Sequence, residues 1–159
     1  MDNGCFSQFK YDKWIKQLDE ARLTGHLPVF ATMPDLVGDA VRTKDLYDYF
    51  SFYVYKVPRA LVIQDGIESV NIDWIKTEAV FVGGSDSFKM SKQATDVCKI
   101  AKMMNKWVHV GRVNTVSRLK NFVGIADSVD GSGISRFDHM LEPLLEFIKN
   151  GDNQSDMFD

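Results

Sequence analysis

Apolar residues follow two rhythms along this chain. Compact apolar runs at 27–33 (LPVFATM), 60–63 (ALVI), 78–82 (EAVFV) and 107–110 (WVHV), with a shorter fifth at 126–129, are the pattern of strands covered on both faces. Between them, apolar positions recur every three or four residues and predict helices. The first spans 10–23 (Trp14, Ile15, Leu18, Leu23) and is ended by Gly25. The second spans 36–55, where the aromatic-rich 47–53 portion either bends it or ends it early. A third helix is predicted from Ser87 or Phe88 to Asn105 through Met90, Ala94, Val97, Ile100, Ala101 and Met104. A fourth covers 115–123, and a fifth covers 138–149 through Met140, Leu141, Leu144, Leu145 and Ile148. Residues 67–76 read as a loop with a short helix.

Strand then helix, five times over, defines an α/β fold with parallel strands. An open doubly wound sheet and part of a (β/α)8 barrel both satisfy that order. The strand ends favour the barrel, of TIM-barrel type, because nearly every one is polar: Asp2-Asn3-Gly4, Asp35, Gln64-Asp65-Gly66, Gly83-Gly84, Gly111-Arg112 and Asp130-Gly131. About five of the eight β/α units of a closed barrel can be drawn, so the barrel is expected to be incomplete. One domain is expected over 1–150, followed by a polar, acidic, disordered tail over 151–159.

Composition narrows the classes. With 45% hydrophobic and 26% charged residues in 159, this is ordinary globular composition. No apolar run approaches the roughly 20 residues needed to span a bilayer, and the polar start lacks the features of a signal peptide, so no membrane association and a cytoplasmic location are expected. A net charge of -3 argues against a surface wholly devoted to nucleic acid, but not against a local basic rim. Arg112, Arg118, Lys120 and Arg136 supply such a rim, whereas Lys89, Lys92, Lys99, Lys102 and Lys106 read as the solvated face of one helix. Cys5 and Cys98 lie far apart, outside any metal-ligand spacing, and are expected to be free thiols; no metal or cofactor is expected.

The candidate chemistry lies at the strand ends. No nucleophile elbow, P-loop or dinucleotide fingerprint occurs. What remains is a set of carboxylates (Asp2, Asp35, Asp65, Asp130), the amide of Gln64, glycine-rich turns, and Arg112 with Asn114 as rim contacts. Such a set suits a polar, planar ligand that develops cationic character during reaction. An ionised Asp can trap the oxocarbenium-like C1′ left when a base departs from a sugar. His109, inside V-H-V, is either a hydrogen-bonded interior residue or a ligand contact. Gly83-Gly84-Ser85 is either an anion site at a helix N-terminus or a tight turn with Ser85 or Ser87 as N-cap.

Taken in order, D-N-G-x-F (2–6), P-D (34–35), V-I-Q-D-G (62–66), F-V-G-G (81–84), V-G-R-V-N (110–114) and D-S-V-D-G (127–131) resemble the tRNA-guanine transglycosylase superfamily, in particular its short phage and bacterial relatives, including those that act on DNA deazapurines. The resemblance implies exchange or release of a guanine or 7-deazaguanine base in DNA or tRNA through a covalent Asp intermediate. By the same resemblance Asp130 is the nucleophile and Asp2 the general acid/base. Asp35 and Gln64 read the base, and Gly83-Gly84 offers a backbone contact. Three departures stand out. The family's zinc site of three Cys and a His is missing, Ser7 replaces the Gln of the D-S-G-G-[FY]-Q motif, and the sequence opens where the family has already completed earlier barrel strands, so that only about five β/α units can be drawn against eight for closure. The missing strands imply a partner chain or a homo-oligomer that completes the barrel, or a truncated reading frame. A catalytically silent purine-nucleotide-binding half-barrel, and an α/β enzyme holding a phosphorylated small molecule at Gly83-Gly84-Ser85 and Arg112, are the competing expectations.

Overall fold

The structure, a computed structural model, describes residues 9–155. Five parallel strands, β1 (Ala31–Thr32), β2 (Arg59–Ile63), β3 (Ala79–Val82), β4 (Trp107–Val110) and β5 (Ser128–Val129), form one sheet in the order β1-β2-β3-β4-β5. The helices are α1 (Tyr11–Thr24), α2 (Ala40–Phe50), α3 (Asp86–Lys89), α4 (Lys92–Met103), α5 (Val116–Lys120) and α6 (Asp138–Ser155), with single 3-10 turns after α2 and after β2.

The strand order decides between the two architectures left open by the sequence. A doubly wound sheet reverses its winding once; this one steps each strand beside its predecessor. Because parallel crossovers are almost always right-handed, sequential winding stacks all connecting helices on one face. The result is a curled, five-stranded half-barrel.

The period-two alternation of the strands carries this division. Ala31, Met33, Leu61, Ile63, Val80, Val82, Val108 and Val110 face outward into the main core, packed with Trp14, Leu18, Tyr47, Phe88, Cys98, Leu119 and Phe122 from the helical layer. Phe30, Ala60, Ala79 and Phe81 form a separate small cluster on the concave face. The register orders the concave face into layers: Thr32, Ala60, Ala79 and Trp107 lie level, and Val62, Phe81, His109 and Ser128 lie level one step nearer the carboxyl ends. Gly83, Gly111 and Asp130, each bonded through its N–H to the preceding strand or its neighbour, form the rim.

Several boundaries differ from the sequence reading for physical reasons. The 27–33 run pairs only at Ala31–Thr32, and Leu27 and Val29 are exposed. The second helix starts at Ala40, capped by the Asp39 carboxylate accepting from Arg42 N, and yields to a 3-10 turn at Ser51. The helix expected over 87–105 is two helices, because Ser91 caps a new one by accepting from Ala94 N. The 115–123 and 126–129 elements are shorter than expected, whereas α6 runs on to Ser155, into the expected tail. Among the described residues no helix is long and apolar enough to cross a membrane.

Candidate functional site

A cavity of about 370 Å³ lies over the carboxyl ends of the strands. Its walls come from the concave face (Thr32, Val62, Phe81), the rim glycines Gly83, Gly84 and Gly111, and the polar residues Asp35, Lys89, Arg112, Asp130 and Ser132. The glycines are required by space. A Cβ on Gly83 would stand 2.7 Å from Val62 Cγ1, and one on Gly111 2.7 Å from the Phe81 ring. Gly84, at φ +73°, adopts the left-handed region, and its Cβ would meet the Asp65 carboxylate at 2.7 Å.

Asp130 is the best-positioned carboxylate in the cavity. Its Oδ1 accepts from Arg112 N at 2.8 Å, and its Oδ2 lies 3.0 Å from His109 Nε2. The side chain remains 53% exposed, so a ligand in the cavity can reach it. Partial burial pushes the carboxyl up, but hydrogen bonds from His109 and Arg112 N–H, with the charge of Lys89, outweigh burial and hold it below the ordinary carboxylate range.

His109 belongs to a chain of donors that fixes its tautomer. Trp107 Nε1–H donates to Ser128 Oγ at 2.9 Å, and Ser128 Oγ lies 2.8 Å from His109 Nδ1. An ionised Asp130 only accepts, so Nε2 carries the proton toward it, and Nδ1 of a neutral imidazole accepts from the Ser128 hydroxyl. Of the two sequence readings of His109 the geometry matches the first: it is a hydrogen-bonded residue of the concave face, outside the cavity lining, and it orients the Asp130 carboxylate.

Arg112 adopts a left-handed backbone, φ 59°, which costs a non-glycine residue on the order of 1 kcal/mol. Three hydrogen bonds hold it there: its N–H to Asp130, its Nη2 to Gly84 O at 2.8 Å, and its carbonyl accepting from Arg118 Nη1 at 2.7 Å. Strain maintained by this many contacts beside a cavity carboxylate is characteristic of a functional loop.

No protein-family model matches the chain, and no curated protein or solved structure is significantly similar to it.

The site brings together five of the expected residues and Asp130's partner: Asp35, Gly83, Gly84, Arg112 and Asp130 line the cavity, with His109 behind Asp130. Two others serve the frame. Gln64 is fully buried, and its amide is engaged within the chain: Oε1 accepts from Gly38 N at 2.8 Å, and Nε2 donates to Leu36 O at 2.9 Å and Thr43 Oγ1 at 2.6 Å. The base-reading role expected of Gln64 does not fit this placement; it fixes the loop that carries Asp35. Asn114 accepts from Gly133 N at 2.9 Å and secures the turn after β5, away from the cavity lining. Asp2 lies outside the described residues.

The anion-site reading of Gly83-Gly84-Ser85 meets an internal competitor. Asp65 Oδ2 accepts from Ser85 N at 2.7 Å and Oδ1 from Ser85 Oγ at 2.6 Å, while Ser85 Oγ caps α3 by accepting from Phe88 N at 3.1 Å. The chain's own carboxylate fills the place a phosphate would take. Cys98 is buried and free, with burial pushing its thiol up to about 12. Among the described residues no three His, Cys, Asp or Glu side chains gather as a metal site.

Lys89 was missed by sequence reasoning. Read as part of a solvated lysine face, it is instead fully buried in the cavity wall. The break between α3 and α4 takes it off the register of Lys92 and Lys99, which are exposed. The signal was Ser91, an N-cap residue inside a run otherwise consistent with one helix.

Proposed function

We propose that this chain is a transglycosylase-type enzyme that exchanges or releases a guanine or 7-deazaguanine base in nucleic acid through a covalent intermediate on Asp130. The observation that carries the proposal is Asp130 itself: a carboxylate held ionised, reachable from the cavity, and aimed by His109 and the strained Arg112 backbone at the carboxyl ends of a parallel sheet. In the proposed step an Asp130 oxygen bonds to the sugar C1′ as the bond to the base nitrogen breaks, and the electron pair leaves with the base. A second base then attacks C1′ and restores the carboxylate; water in its place gives release. Asp35, on the opposite side of the cavity mouth, is the candidate contact to the base, and Asp2 the candidate acid/base. The half-barrel is then five units of a TIM-type barrel, and the cytoplasm is the compartment this reading implies.

Incubation of the full chain with guanine-containing DNA or RNA and labelled guanine or 7-deazaguanine tests the proposal. Incorporation that Asp130→Asn abolishes supports it; incorporation unchanged in that variant overturns the covalent role. A second reading is favoured by the edges of the sheet: among the described residues, β1 and β5 each have a strand on one side only. In it, the chain binds a purine without turnover and completes its site with a second copy or a partner chain. Purine binding by calorimetry in the absence of any incorporation would select that reading.

A further inference from the structure

Burying an ammonium without a partner is costly, and the wall of this cavity contains one. Lys89 is 0% exposed, and its Nζ finds no hydrogen-bond partner among the described residues. Its carbonyl accepts from Asn121 Nδ2 at 3.2 Å, which ties its backbone to the segment after α5. The side chain lines the same cavity as Asp35, Arg112 and Asp130. Burial, followed by the charges of Arg112 and Arg118, pushes the amine down to about 8, while Asp86 and Asp130 partly offset them. Among the described residues this donor has no acceptor, and a ligand in the cavity can bring one.

We propose that Lys89 Nζ receives the 6-oxo oxygen of the bound purine, and so selects a 6-oxopurine over a purine lacking that oxygen. The inference rests on the base-exchange reading above. Within that reading a donor for the oxo edge is needed, and the Gln64 amide is already engaged with the Leu36–Gly38 loop. Guanine and 7-deazaguanine share the 6-oxo group, so one lysine serves both. When the bond from C1′ to the base nitrogen breaks and the Asp130–C1′ bond forms, the electron pair delocalises over the departing base onto that oxygen. An ammonium in a water-poor wall stabilises this charge more than a solvated one would. The groups that face Lys89 are Asp86 on its own helix, Arg112 and Arg118 from the β4–α5 segment, and Asp130 at the end of β5, with Asp35 across the cavity.

The test is calorimetric binding of free guanine and of 2-aminopurine, which lacks the 6-oxo group, to the full chain and to Lys89→Met. The wild type should bind guanine about tenfold or more tightly than 2-aminopurine, and Lys89→Met should bind the two alike. Raising the pH through about 8 should erode the wild-type preference, because the amine then loses its charge. Lys89→Gln, which retains a neutral donor, should show an intermediate preference. An unchanged guanine preference in Lys89→Met overturns the inference while leaving base exchange standing. Failure of the wild type to bind either purine overturns base exchange and this inference with it. If Lys89→Met does not fold, a wild-type preference that stays flat through pH 8 overturns the inference alone.

Discussion

Asp65 and Asp130 look the same in the sequence and do different work in the fold. Each ends a parallel strand, each precedes glycine, and each accepts one backbone N–H and one side-chain donor. Both carboxyls lie below their ordinary range, in each case because those hydrogen bonds outweigh burial. The difference lies in what the donors belong to. Asp65 is bound twice by Ser85, the N-cap of α3, and presses against Gly84, so it clamps one β/α turn to the next. Asp130 is bound by a strand histidine and a strained loop, and faces the cavity. An Asp-Gly strand end is therefore a position, and its partners decide whether it ties two turns together or faces the cavity.

Substitutions should separate the two carboxylates in order of effect. Asp130→Asn is expected to lower base incorporation by roughly a thousandfold or more with little change in melting temperature, read by labelled-guanine exchange and by thermal unfolding. Lys89→Met should raise stability at neutral pH, on the order of 1–3 kcal/mol, by removing an unpaired buried charge. The sign follows from linkage. The Lys89 amine is pushed down to about 8 when folded, against about 10.4 when unfolded, so the unfolded chain binds more protons between those values. Wild-type stability therefore rises as pH climbs from about 8 to about 10.4, and Lys89→Met should lose that rise in urea titrations.

Asp65→Ala should cost about 1–2 kcal/mol of stability, by loss of the Ser85 clamp, while leaving guanine incorporation within about threefold of wild type. The smallest effect concerns acid. Both folded carboxyls are depressed, so their contribution is present above the unfolded value near about 3.9 and is lost as pH falls through the lower folded values. Asp65→Ala should flatten this acid decline in chemical denaturation. An Asp65→Ala variant as inactive as Asp130→Asn would erase the distinction between the clamp and the proposed nucleophile.

The sheet was legible because its central strands are unbroken apolar runs, and β2, β3 and β4 fall within a residue of where the pattern puts them. The choice of a curled half-barrel was legible only through its polar strand ends, since strand order is a long-range property that no local pattern carries. β1 was overread because Leu27 and Val29 are apolar yet exposed. In the site, Asp130, Arg112 and the rim glycines stood out as strand-end residues. Gln64 also stood out, but it lies one residue past the end of β2, where the strand alternation that puts Ala60 and Val62 on the concave face no longer holds, and its amide turns toward α2. Lys89 did not stand out, because its burial depends on a helix break that Ser91 makes and apolar periodicity hides.

The proposed intermediate is a covalent bond between Asp130 and a sugar carbon. Intact-mass measurement of the full chain, after incubation with a guanine-containing oligonucleotide and a denaturing quench, reads that bond directly. An added mass equal to the oligonucleotide less its guanine is expected on the peptide containing Asp130, absent in Asp130→Asn and present in Asp65→Ala. Guanine exchange with no such adduct, and undiminished in Asp130→Asn, would contradict it.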